Sequence, residues 1–137
     1  MFFDRLLIVC ALTVFASSAF AEEWEEVFSD KNSTGAKFYF DKNIARIGAH
    51  AVRTQYMIQE TSARPVSKSK PDGPSYDKAI YKAVIDCNSY GWKFLHRAYY
   101  LNDKVQFEED TTGGPTPAPP AGTAPSKIGE KACASRR

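Results

Sequence analysis

The chain offers few side chains able to do covalent or metal chemistry. Its two histidines stand apart, His50 beside a bend and His96 inside a strand-like segment. A zinc site takes three or four ligands at workable spacing, and neither histidine has such company. His96 alternates with Phe94 and Ala98, the pattern of a packed or half-exposed strand residue. No G-x-S-x-G elbow or paired helical motif accompanies the serines. Glu108-Glu109-Asp110 reads as a solvated strand end rather than a two-carboxylate hydrolytic pair. Gly113-Gly114 runs into prolines instead of a helix, so it forms no phosphate loop. Asn32-Ser33-Thr34 fits the N-glycosylation pattern, which matters only in a eukaryotic exported chain. No catalytic residue, metal ligand or cofactor site is assigned, and no enzyme activity is expected.

What is left is cysteine, positive charge and aromatic surface. The first 21 residues read as a cleaved export signal. Arg5 lies near the start, residues 6–15 are apolar, and Ala19-Phe20-Ala21 supplies the small residues of a cleavage site after Ala21. The apolar run is too short for a membrane span, which takes about 20 residues. Cys10 follows bulky Val9, which excludes a lipid-attachment site. The mature chain, 22–137, then holds two cysteines, Cys87 and Cys133, in an oxidising compartment, where an even pair becomes a disulfide. Their spacing is not the C-x-x-C of a redox pair. Basic and aromatic residues interleave, with Lys82, Lys93, Arg97 and Arg53 beside Tyr81, Trp92, Tyr99 and Tyr56. Such a face could hold an anionic polymer by charge and stacking. Ordinary sheet composition with a solvated outer face is the simpler reading and the preferred one.

The elements that would position these groups are mostly strands. Residues 24–28, 36–41, 51–59, 77–87, 90–101 and 104–108 alternate or are rich in aromatic and β-branched residues. Phe38 and Phe40 share one face. So do Val52, Thr54, Tyr56 and Ile58, and also Tyr81, Ala83, Ile85 and Cys87. Residues 44–49, with Gly48, read as a bend, and Asn102-Asp103 as a hairpin turn. Residues 60–75 hold Pro65, Pro71, Gly73 and Pro74, and read as a mobile exposed loop. Residues 113–125 are Pro-rich and extended, unable to enter a sheet interior. Residues 126–136 form a helix candidate capped by Ser126, with Pro125, Ile128, Gly129, Ala132 and Cys133 on one stripe. Gly129 costs such a helix ~1 kcal/mol, and the helix is too short to stand alone. The disulfide would dock it. The expectation is a mainly β (α+β) domain, an antiparallel sheet of about six strands with a short C-terminal helix.

Composition agrees. The chain has 137 residues, 43% hydrophobic and 25% charged, with 13% aromatic. That is one domain at most. With 18 basic against 16 acidic side chains the net charge is only +2, which argues against a dedicated nucleic-acid binder. No segment of the mature chain is long and apolar enough to span a membrane as a helix.

The ordered features resemble the surface-adhesin protein E family of small exported Gram-negative domains. The residues that carry the likeness are Trp24, Phe38-Tyr39-Phe40-Asp41, Ile44-Ala45-Arg46-Ile47-Gly48 and Val52. Further on come Tyr81, Ile85-Asp86-Cys87, and Ser126-Lys127-Ile128-Gly129-Glu130 followed by Cys133. The likeness spans most of residues 22–134. The chain departs from the family in its Pro-rich stretch before the helix, where a Trp is absent, and in Tyr56, where a Trp often sits. The resemblance implies a curved antiparallel sheet with a disulfide-tied helix on its concave side. It also implies a binding module for host extracellular-matrix or serum proteins, at the cell surface or in the periplasm. In that case Arg64, Lys68 and Lys70 are the candidate ligand contacts, together with strand tyrosines. The alternative is a periplasmic structural or accessory protein without adhesive activity. Within the shared segment, Asp41 is expected to accept backbone N–H bonds at the strand end, with Arg46 near enough to pair with it. Gly48 permits a positive φ.

Overall fold

The computed structural model describes residues 22–111 and 113–135. The expected export signal, 1–21, with Cys10, lies outside the described residues, as do Arg136 and Arg137. Seven strands form one antiparallel sheet: β1 (Trp24–Ser29), β2 (Lys37–Asp41), β3 (Ala45–Ile47), β4 (Ala51–Pro65), β5 (Ser75–Asp86), β6 (Trp92–Leu101) and β7 (Lys104–Asp110). The spatial order is β1-β2-β4-β5-β6-β7, and β3 pairs separately with β4. One helix follows, α1 (Ala124–Ala134). Chain neighbours pair antiparallel through short connections, except β2 and β3, which both pair with β4.

Period-two alternation places one set of side chains on the helix side. Phe40, Val52, Tyr56, Ala83, Ile85, Cys87 and Trp92 form the core with Ile128, Ala132 and Cys133 of α1. The expected faces of β2, β4 and β5 are therefore the observed ones. The helix packs chiefly on β1, β2 and β4. It is joined to the end of β5 by the Cys87–Cys133 disulfide, with the two Cα atoms 5.6 Å apart. Lys131 Nζ adds a 3.0 Å bond to Glu25 Oε1 on β1, and Lys127 stands 4.8 Å over the Phe28 ring.

Four sequence expectations change. The bend at 44–49 contains the three-residue β3, which turns into β4 through Gly48 at φ +60°. The supposed loop at 60–75 shrinks to residues 66–74, because β4 continues to Pro65 and β5 starts at Ser75. Prolines at strand ends need give no ladder N–H, and Val66 N–H closes the loop on Pro74 O at 2.8 Å. The helix starts two residues early. Thr123 is the N-cap, accepting from Ser126 N–H, so Ser126 lies within the helix instead of capping it. Pro125 is tolerated in this first turn because its missing N–H has no intrahelical partner to lose. Ala124 then joins the buried stripe, while Pro125 is only half-buried. Finally, the Pro-rich segment does touch the sheet: Thr116 and Trp92 exchange backbone bonds of 2.7 and 3.1 Å. It meets the stretch of β6 that β7 does not cover.

Asp41 shows why β2 ends where it does. The residue is 4% exposed. Its Oδ1 accepts the N–H of Glu23 at 3.1 Å and of Asn43 at 2.9 Å. Its Oδ2 accepts the Gln55 amide at 2.8 Å. The backbone role is the expected one, and Gln55 is the side-chain partner the sequence did not suggest.

Candidate binding surface

A β-bulge in β6 determines which residues meet. Lys82 faces His96 but Ala83 faces Phe94, so Leu95 is an extra residue on β6. One inserted residue moves the following side chains to the other face. Trp92 and Phe94 before the bulge, and Arg97 and Tyr99 after it, thus share the helix side. Strict alternation would have divided them, and it placed His96 with Phe94. His96 instead pairs across from Lys82 on the opposite face, its ring 2.8 Å from Asp110 Oδ1 and 3.5 Å from Glu108 Oε2.

On the helix side the result is a continuous row of rings beside α1. Tyr56 stacks on Tyr81 with centroids 4.9 Å apart and meets the Trp92 edge at 5.5 Å. The Tyr81 and Tyr99 hydroxyls hydrogen-bond at 3.0 Å. Tyr76 packs edge-on to Tyr99 at 4.7 Å, and Phe107 of β7 lies 6.2 Å from Tyr99. Arg97 stands over Tyr99 and Phe107 and pairs with Glu109. Tyr56 and Tyr99 are buried, whereas Tyr76, Tyr81, Phe94, Arg97 and Phe107 are half-buried and so retain surface. Burial raises the Tyr56 and Tyr81 hydroxyl pKa far above the usual phenol value, and the Tyr99 hydrogen bond adds to the effect at Tyr81. Tyr76 is raised by burial, then by the nearby Glu60 carboxylate. These hydroxyls stay protonated at neutral pH. They can donate and accept hydrogen bonds but cannot act as bases.

The row runs toward the β4–β5 hairpin tip. Arg64 lies on β4, not in a loop, and pairs in register with Tyr76. Its Nε is 3.2 Å from Glu60 Oε2, whose side chain is only 9% exposed. Lys68 and Lys70 are exposed in the 66–74 loop, which Lys70 and Gly73 N–H bonds fold into consecutive turns. The fold therefore brings Arg64 to the end of the tyrosine row and sets both lysines at the adjoining tip. Glu60, Tyr76 and the Arg97–Glu109 pair are members the sequence reading missed. Tyr76 falls between the expected loop, 60–75, and the expected strand, 77–87, and the Arg97–Glu109 pairing depends on a register that alternation does not reveal.

The other basic residues face away. Arg53 and Lys82, with Gln55, line a separate groove of about 740 Å³ on the opposite side, bounded by Asp41, Lys42 and Ala45. Arg97 alone of the four interleaved cations stands over the rings, so charge and stacking surface lie mostly on different faces. Among the described residues, no group of three or more His, Cys, Asp or Glu could hold a metal ion. None of the helices among those residues is long and apolar enough to cross a membrane. Comparison with family models, curated proteins and solved structures finds no match.

Proposed function

We propose that the chain is an exported, non-enzymatic binding module of the adhesin E type, engaging a protein ligand of the extracellular matrix or serum. The observation that carries this reading is the half-buried tyrosine row ending in Arg64 and the Lys68–Lys70 tip. Tyrosines give large contact area with few torsions to freeze, and they recur at interface centres. Flanking cations steer an acidic partner toward them. The chemistry suits recognition: protonated phenols and ion-paired arginine offer contact and directionality.

The test is binding of the oxidised mature protein to vitronectin- or laminin-coated surfaces at two ionic strengths. Changing Arg64, Lys68 and Lys70 together to Ser should slow association about tenfold at low salt and flatten its salt dependence. Tyr76→Ala should instead speed dissociation, as loss of an aromatic anchor does. Protease accessibility on whole cells reports the location that adhesion needs. A folded protein that binds at neither ionic strength and is protected in intact cells rejects this reading in favour of a periplasmic accessory role.

A further inference from the structure

We infer that the groove where β2 gives way to β3 along β4 is a receptor site for an acidic sugar, with Arg53 and Lys82 holding its acid group. The groove holds about 740 Å³, within the ~300–1,000 Å³ of small-molecule sites. It lies on the side of the sheet away from the tyrosine row and does not rest on what that row binds.

The groove exists because two strands share one edge of β4. β2 pairs with residues 56–59 of β4, and β3 pairs with residues 51–53. Between these ladders the chain turns away after Asp41, whose carboxylate captures the Asn43 N–H at 2.9 Å. Thr54 and Gln55 therefore line a gap together with Asn43, Ile44 and Ala45. The charged groups around this gap differ in their partners. The Asp41 carboxylate already accepts three donors, and the Glu22 carboxylate accepts the Trp24 indole N–H at 3.1 Å. Lys42 lies 3.9 Å from Glu25. Arg53 and Lys82 are exposed, and neither makes a hydrogen bond or ion pair among the described residues. By contrast Arg64, Lys78, Arg97 and Lys131 all have carboxylate partners. The register draws the two unpaired cations together. Arg53 faces Val84 and Gln55 faces Lys82, so Arg53 and Lys82 are diagonal neighbours with backbones about 7–8 Å apart. Lys93, also exposed and unpaired, faces Val84 from β6, two strand spacings or roughly 10 Å from Arg53. Three like charges around one valine repel one another. An oxyanion seated between Arg53 and Lys82 relieves that repulsion.

The rest of the lining selects what carries the oxyanion. Arg53 presents a planar fork that matches a carboxylate or phosphate, and Lys82 a point charge. Asn43 and Gln55 are neutral amides suited to hydroxyl groups, and Ile44 with Ala45 offers a small apolar side for ring C–H groups. No aromatic ring lines the groove, so a nucleotide base has nothing there to stack on. The occupant is therefore a sugar residue carrying a carboxylate or a phosphate.

The experiment follows the backbone amide and Arg53 Nε–H resonances of the oxidised mature chain during titration with glucuronate and with glucose 6-phosphate. Glucose lacks the acid, whereas acetate and inorganic phosphate lack the sugar. At least one acidic sugar should shift the Arg53, Gln55 and Lys82 amides and the Arg53 Nε–H, and saturate, leaving the Tyr76 and Phe107 amides in place. Which of the two binds more tightly identifies the acid. Glucose and the matching bare anion should bind about tenfold more weakly or worse. Arg53→Gln and Lys82→Gln should each weaken the acidic sugar about tenfold, as loss of a hydrogen bond to a charged group does, without lowering the melting temperature. Lys82→Arg should retain binding. The proposal is overturned if neither acidic sugar shifts these resonances saturably, or if glucose acts as strongly. Equal affinity for the bare anion means an adventitious ion only and overturns it too. So does full affinity in both Gln variants, or loss of the fold in both, which would make these cations structural.

Discussion

Asp41 and the tyrosine hydroxyls show opposite ways of using a buried oxygen. Asp41 is kept as an acceptor for three donors, so its loss strands all three. Asp41→Ala should lower stability by about 3 kcal/mol, and Asp41→Asn by less, because one carbonyl oxygen remains for the Glu23 and Asn43 amides. Urea denaturation of both variants measures this, and equal losses would assign the effect to charge rather than to acceptor count. Tyr56 and Tyr81 are instead held neutral. Their folded pKa values lie above the unfolded value of about 10. Their contribution is therefore complete below pH 10 and is lost as pH rises past it toward the folded values. Followed together, tyrosinate absorbance and circular dichroism should show the Tyr56 and Tyr81 phenols ionising only as the sheet unfolds. A single step near pH 10 with the fold intact contradicts this.

Among the elements, α1 depends most on its covalent tie. It spans Ala124–Ala134, short for a helix in isolation, and it carries a central glycine. Replacing Cys87 and Cys133 by Ala should cost up to roughly 4 kcal/mol on the chain-entropy model. Hydrogen exchange should then speed up in α1 while the β4–β5 ladder stays protected. Uniform loss of protection across both would mean that the sheet needs the helix to form. The sequence revealed this tie, as well as the inward faces of β2, β4 and β5, because burial there follows unbroken alternation. It revealed the 102–103 turn because Asn-Asp tolerates the observed φ values of 49° and 63°. It did not reveal the Leu95 bulge or the extension of β4 through Arg64 to Pro65. Those depend on pairing with strands distant in sequence, and a one-residue insertion leaves no local compositional mark. The candidate surface was accordingly half legible: its cations could be named, but the ring row they adjoin could not be assembled.

At the scale of the whole molecule, the described body begins tightly bound to the sheet. The Glu23 N–H is bonded to Asp41, and β1 starts at Trp24. A cut after Ala21 leaves that bond and strand intact. Intact mass of exported protein should match a chain starting at Glu22, and a species retaining Cys10 rules this processing out. The disulfide also has a mechanical consequence. It joins the end of β5 to the last turn of α1, so β6, β7, the Pro-rich segment and α1 up to Cys133 lie within a closed ring spanning 46 positions. Tension applied between the two ends of the folded chain travels through the sulfur bridge and bypasses that ring. At ~3.3–3.6 Å per residue, roughly 150 Å of contour length is withheld from extension. Under shear, β1 to β5 would bear the load, whereas β6, β7 and nearly all of α1, with half of the tyrosine row, would remain slack until the bridge is reduced.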